Sequence, residues 1–84
     1  MKAKILTNSN SKLTMFRLGA VDGELVEDND FDEKFILSTK EENLAILIIT
    51  RSLYDNHALL VDDFRKDNVK PLIVIIDDWK DKIC

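Results

Sequence analysis

The sequence predicts an α/β domain: a four-stranded parallel sheet in a three-layer sandwich, with helices on both faces. Three observations lead there. Two apolar runs, Leu44–Ile49 and Leu72–Ile76, are continuous rather than alternating and rich in β-branched residues, the pattern of strands covered on both faces. Capped amphipathic stretches separate the apolar runs, giving the alternation β-α-β-α-β-α-β. Strands joined in this way run parallel, and right-handed crossovers distribute the helices over both faces.

The first strand is read over 3–7, where Ala3, Ile5 and Leu6 surround Lys4. A Ser/Asn cluster follows and can cap a helix carrying Leu13, Met15 and Phe16. The second strand, 21–26, is interrupted by acids and Gly23 and reads as an edge strand. Asp30 and Glu33 have the spacing of a capping box, and Phe31 and Phe35 share a helix face at i, i+4. The third strand is 44–49. After it, Leu53, His57, Leu60, Val61 and Phe64 keep one apolar stripe in register through a single helix, which Thr50 or Ser52 can cap. Asp67, Asn68 and Pro71 end that helix, because proline disfavours helix in the residue before it. The fourth strand is 72–76. The expected order is 2-1-3-4, a short flavodoxin-like pattern shared with phosphoacceptor receiver domains. Residues 44–49 and 72–76 are too short and too β-branched for a helical bundle.

At 84 residues the chain is one small domain, 1–84, with 78–84 as a short C-terminal tail. It has 12 Lys and Arg against 16 Asp and Glu, a net charge of −4, which argues against an electrostatic grip on nucleic acid or anionic lipid. A single cysteine, Cys84, precludes a disulfide within the chain and fits a reducing compartment. Met1–Lys4 followed by two apolar residues is not the pattern of a secretory leader, and no apolar run approaches the length of a membrane span.

In this fold ligands bind at the carboxyl ends of the strands. There the chain offers Thr7-Asn8-Ser9-Asn10-Ser11, which can reach a phosphate but has no glycine to let the backbone approach one; a capped turn is the plainer reading. Neither G-x-G-x-x-G nor G-x-x-x-x-G-K-[ST] occurs, so those routes to nucleotide binding are closed. A receiver needs acids after strands one and three, and the corresponding places hold Asn8, Ser9 and Thr50. His57, the one histidine, has no second histidine or nearby cysteine to complete a metal site and reads as a half-buried structural residue. Cys84 reads as a frayed terminal thiol. The acids from Asp22 to Glu33 read as a solvated edge and helix start, or as a docking surface for a basic partner. Trp79 is either packed over the sheet end or an interface anchor. No catalytic, cofactor or metal site is assembled, and the candidate partner contacts are Arg17, Thr50, Arg51 and Trp79.

Three segments resemble the family of the V-type (A/V-type) ATPase F subunit. Met15-Phe16-Arg17-Leu18-Gly19-Ala20-Val21-Asp22 is similar to the family's G-F-R-L-A-G-V, with Ala-Gly inverted to Gly19-Ala20. Ile48-Ile49-Thr50 is similar to the close of its I-I-L-I-T, and Pro71-Leu72-Ile73-Val74 to its P-x-I-V. Asp77 stands where the family often has proline, and Asn8-Ser9 where it commonly has glycine and an acid. The resemblance implies a non-catalytic central-stalk subunit of a rotary ATPase or ATP synthase, without a cofactor. Such a protein is cytoplasmic, peripheral to the membrane and not inserted in it. It is bound to the coiled coil of the ATPase D subunit, turns within the catalytic hexamer, and couples ATP hydrolysis or synthesis to H⁺ or Na⁺ transport. The competing readings are a stand-alone receiver-like interaction module without phosphoacceptor chemistry, and a small enzyme using the Thr7–Ser11 loop.

Overall fold

The computed structural model describes residues 2–19, 21–68 and 70–77. The strands β1 (Lys2–Thr7), β2 (Asp22–Leu25), β3 (Leu44–Thr50) and β4 (Leu72–Ile76) are all parallel and lie in the order β2-β1-β3-β4. This is the predicted sheet, with β2 and β4 at its edges. The helices are α1 (Asn10–Leu18), α2 (Phe31–Thr39), α3 (Arg51–Asn56) and α4 (Ala58–Asp67).

One face of the sheet carries the main core. Leu6 of β1, Leu44, Leu47 and Ile49 of β3 and Ile73 of β4 pack with Phe31 and Phe35 of α2, Leu53 of α3 and Val61 of α4. Phe31 and Phe35 stack with centroids 5.6 Å apart, as their spacing predicts, and Phe64 meets Phe35 edge-on at 5.5 Å. On the other face α1 packs over β1 and β2, where Ile5 is fully buried. A register shift makes Ala45 an extra residue of β3, since Lys2 pairs with Leu44 but Ala3 with Ile46. That shift turns both Leu44 and Leu47 into the main core despite their odd spacing.

Local capping differs from expectation at two helices. Ser9 caps α1 as predicted, its hydroxyl oxygen accepting the Lys12 N–H at 3.3 Å. Asp30 is the N-cap residue of α2 but caps nothing with its side chain. Its Oδ1 instead accepts the Glu27 N–H at 2.9 Å, closing the turn before the helix, so the predicted capping box does not form. The single helix expected through His57 is two helices. His57 has φ −133° and ψ 28°, outside the helical region, and its N–H returns to the Tyr54 carbonyl at 3.0 Å to end α3. Gly19 ends α1 at φ −91°, so this cap uses no left-handed residue.

A charged cluster occupies the main-core side of the sheet. Lys4, 9% exposed, sits on a central strand, with its Nζ 2.8 Å from Glu41 and 3.0 Å from Glu24; Lys34 is 3.3 Å from the same Glu24. Burial alone pushes Lys4 down, but the hydrogen bonds and charges of Glu41 and Glu24 outweigh it and its pKa is raised. Glu24 is the converse: burial pushes it up, Lys4 and Lys34 outweigh burial, and its pKa is lowered. The lysine is therefore paired inside the fold.

Candidate functional site

At the carboxyl ends of the strands, where this topology binds ligands, structural hydrogen bonds hold the turn after β1 and tie the end of β3 to that of β4. Thr7 ends β1 fully buried, and its hydroxyl oxygen accepts the Ser9 N–H at 3.1 Å. With Ser9 capping α1, the Thr7–Ser9 turn spends its hydroxyl acceptors on its own backbone, which is the capped-turn reading. The next strand along ends in Thr50, the N-cap residue of α3, also fully buried. Its hydroxyl makes no cap bond and has no hydrogen-bond partner among the described residues. Arg51 is exposed beside it and its Nε donates to Asp77 Oδ1 at 2.9 Å, tying the ends of β3 and β4. Asp77 is therefore an ion-pair partner at the close of β4.

The candidate contacts are not one cluster. Arg17 lies in the last turn of α1, which runs back toward the start of β2, whereas Arg51 follows the end of β3. The two arginines stand at opposite ends of the sheet, both exposed. Thr50 has no exposed surface and so is not a contact residue, whereas Arg51 beside it is exposed. Trp79 and Cys84 lie outside the described residues.

His57 is half-buried, as predicted, in an acidic setting that its own helix does not reveal. Its ring stacks on Phe31 with centroids 4.5 Å apart. Nδ1 is 3.2 Å from Asp32 and Nε2 is 3.4 Å from Asp28, while Asn56 donates to both Asp28 oxygens at 3.3 Å. These contacts pin the loop before α2 to the break between α3 and α4. A neutral imidazole has one N–H, so only the protonated ring donates to both carboxylates. The available signal was the i, i+4 spacing of Asp28 and Asp32 across Phe31. Tyr54 adds a second clasp, donating to Asp62 Oδ1 at 2.8 Å; that hydrogen bond, with burial, raises the phenol's pKa. Among the described residues no three His, Cys, Asp or Glu side chains are placed to hold a metal ion.

These features define a parallel α/β domain of flavodoxin-like order whose carboxyl edge is given over to turn closure and one ion pair, with the receiver's acidic positions held by Asn8, Ser9 and Thr50. The chain belongs to the family described as ATP synthase (F/14-kDa) subunit, which matches residues 5–83. No individual curated protein matches it.

Proposed function

We propose that the protein is a non-catalytic central-stalk subunit of a V-type ATPase or ATP synthase. In this role it binds the coiled coil of the D subunit, turns with it inside the catalytic hexamer, and helps couple ATP hydrolysis or synthesis to H⁺ or Na⁺ transport. The observation that carries the reading is the family match over residues 5–83, nearly the whole chain. The carboxyl edge supports it, because Thr7, Ser9, Arg51 and Asp77 are engaged with one another or with backbone.

Arg17, Arg51 and Trp79 are the contacts assigned to the partner; Thr50, fully buried, is not one of them. An elongated helical partner suits two arginines at opposite ends of the strands. The protein works at the cytoplasmic side of the membrane as a peripheral part of the complex; no described helix is long and apolar enough to cross a bilayer. Co-expression with the matching D subunit tests the assignment. Co-elution of the two chains in a stable stoichiometric complex is expected, and separate elution of two folded proteins would overturn it.

A further inference from the structure

The two faces of the sheet are unequally covered. On the side of α2, α3 and α4, Leu47 and Ile49 are fully buried and Ile73 is 5% exposed. On the other side α1 lies over β1 and β2, and the pairing register carries that face onward from Ala3 and Ile5 to Ile46 and Ile48, then to Leu72 and Val74, with Ile76 beyond. None of these five β3 and β4 side chains is fully buried, and Leu72 is 57% exposed. Among the described residues no helix packs over this half of the face. Thr50, paired with Ile76, ends this half of the face fully buried, while the aliphatic side chains before it are only half-covered; parallel sheets are ordinarily covered on both sides, so that aliphatic strip is unfinished as it stands.

We infer that this strip is the seat of one long amphipathic helix of the partner coiled coil, lying beside α1 and along the strands. The inference rests on the proposed function for the existence of that partner and adds the face it occupies. Dimensions favour a single helix. Two strands about 4.8 Å apart make a strip about 10 Å wide, the diameter of one helix. The seven residues of β3 run about 23 Å, roughly four helical turns. A patch of that size falls well short of the roughly 800 Å² per partner of a stable dimer, so a second copy is a poor occupant, while a long helix continues its contacts past both ends.

Charge fixes the helix's chemistry. Arg65 and Leu72 line one groove of about 320 Å³ at the outer border of β4, and Lys70 precedes that strand. Neither Arg65 nor Lys70 forms an ion pair among the described residues. The occupying helix therefore has an aliphatic seam with acidic residues along the flank nearest β4. Such a helix reaches Arg51 at the carboxyl end of the strands and extends toward the end where Arg17 stands.

The test is calorimetric titration of full-length variants into the recombinant D subunit. Leu72→Asp with Val74→Asp is expected to weaken binding at least about tenfold, the loss typical of a central apolar anchor. Leu59→Asp, on 84% exposed Leu59 of α4 at the opposite face, is expected to stay within about twofold of wild type. Circular dichroism verifies folding, and if the double variant fails to fold, Leu72→Asp alone carries the test on an exposed side chain. Wild-type affinity in the strip variants, with wild type itself binding, overturns the face assignment and leaves the proposed function standing. Absence of wild-type binding overturns both. A homodimer broken by the same substitutions gives the strip to a second copy. Protection of the Ile48 and Val74 amides lost on removing residues 78–84 gives it to the chain's own tail. Either result overturns the inference.

Discussion

Replacing Gly23 by alanine tests the packing of α1 on the sheet with one methyl group. A Cβ at Gly23 would stand 2.5 Å from Leu13 Cδ1, 2.7 Å from Ile5 Cγ2 and 3.2 Å from the Ile5 carbonyl oxygen. Leu13 Cδ1 is the far end of a flexible side chain and can swing aside. Ile5 Cγ2 cannot, since it branches at Cβ on a fully buried residue of a central strand. Inserting a methylene into such a site costs about 1–3 kcal/mol. Removing glycine's freedom from the unfolded chain returns about 0.4–1 kcal/mol. The net loss is about 1–2 kcal/mol, which for a domain of this size lowers Tm by about 5–15 °C. Thermal unfolding by circular dichroism measures it directly. Leu13→Ala in the same background is expected to cost less than Leu13→Ala alone, because it vacates the contested space. An unchanged or higher Tm for Gly23→Ala would refute the close contact between α1, β1 and β2.

Three further outcomes follow from the core and the charged clusters. Phe35→Ala removes a ring 1% exposed, stacked on Phe31 and met by Phe64, and is expected to cost about 3–5 kcal/mol in chemical denaturation; a loss below about 1 kcal/mol would contradict that core. The folded pKa of Glu24 lies below its ordinary value of 4.5, so its contribution is present above that pH and is lost as pH falls through the folded value. Lys4 has the opposite sign, raised above 10.5, so its contribution is present below that pH and is lost as pH rises through the folded value. Lys4→Met is expected to flatten the acid limb of a stability-against-pH curve, and an acid limb unchanged by the substitution would argue against the cluster. His57→Ala loses the stack on Phe31 and both carboxylate contacts and is expected to cost about 1–2 kcal/mol while leaving turnover of the assembled ATPase intact. Loss of turnover in a folded, assembled variant would assign the histidine a functional role.

What the sequence made legible was whatever is written in local chemistry. The β-branched runs at 44–49 and 72–76 are strands because a buried parallel sheet wants those side chains, and crossover geometry then leaves few strand orders. Ser9 and the Phe31–Phe35 pair were readable because a cap and an i, i+4 contact involve near neighbours. The misses depend on distant partners or on a choice between adjacent ones. The apolar stripe from Leu53 to Phe64 runs unbroken across His57, so periodicity signals one helix; the residues that meet His57 at the break, Asp28 and Asp32, come from the loop before α2 and its first turn. Asp30 accepts the Glu27 N–H before it rather than capping the helix after it. Lys4 looked like an interruption of an apolar run, and only the fold brings Glu24 and Glu41 to it. The candidate arginines are both exposed, but their placement at opposite ends of the sheet follows from the direction of α1 and is invisible in a list of residues.

The role we propose for this domain is to hold a helical partner within a rotary ATPase. Calorimetric titration of the full chain into the coiled coil of the matching D subunit tests it most directly. Saturable one-to-one binding is expected, with an interface of about 1,200–2,000 Å² in total and an association rate that falls as salt is added. No heat of binding with both proteins folded and mixed at tens of micromolar would contradict it.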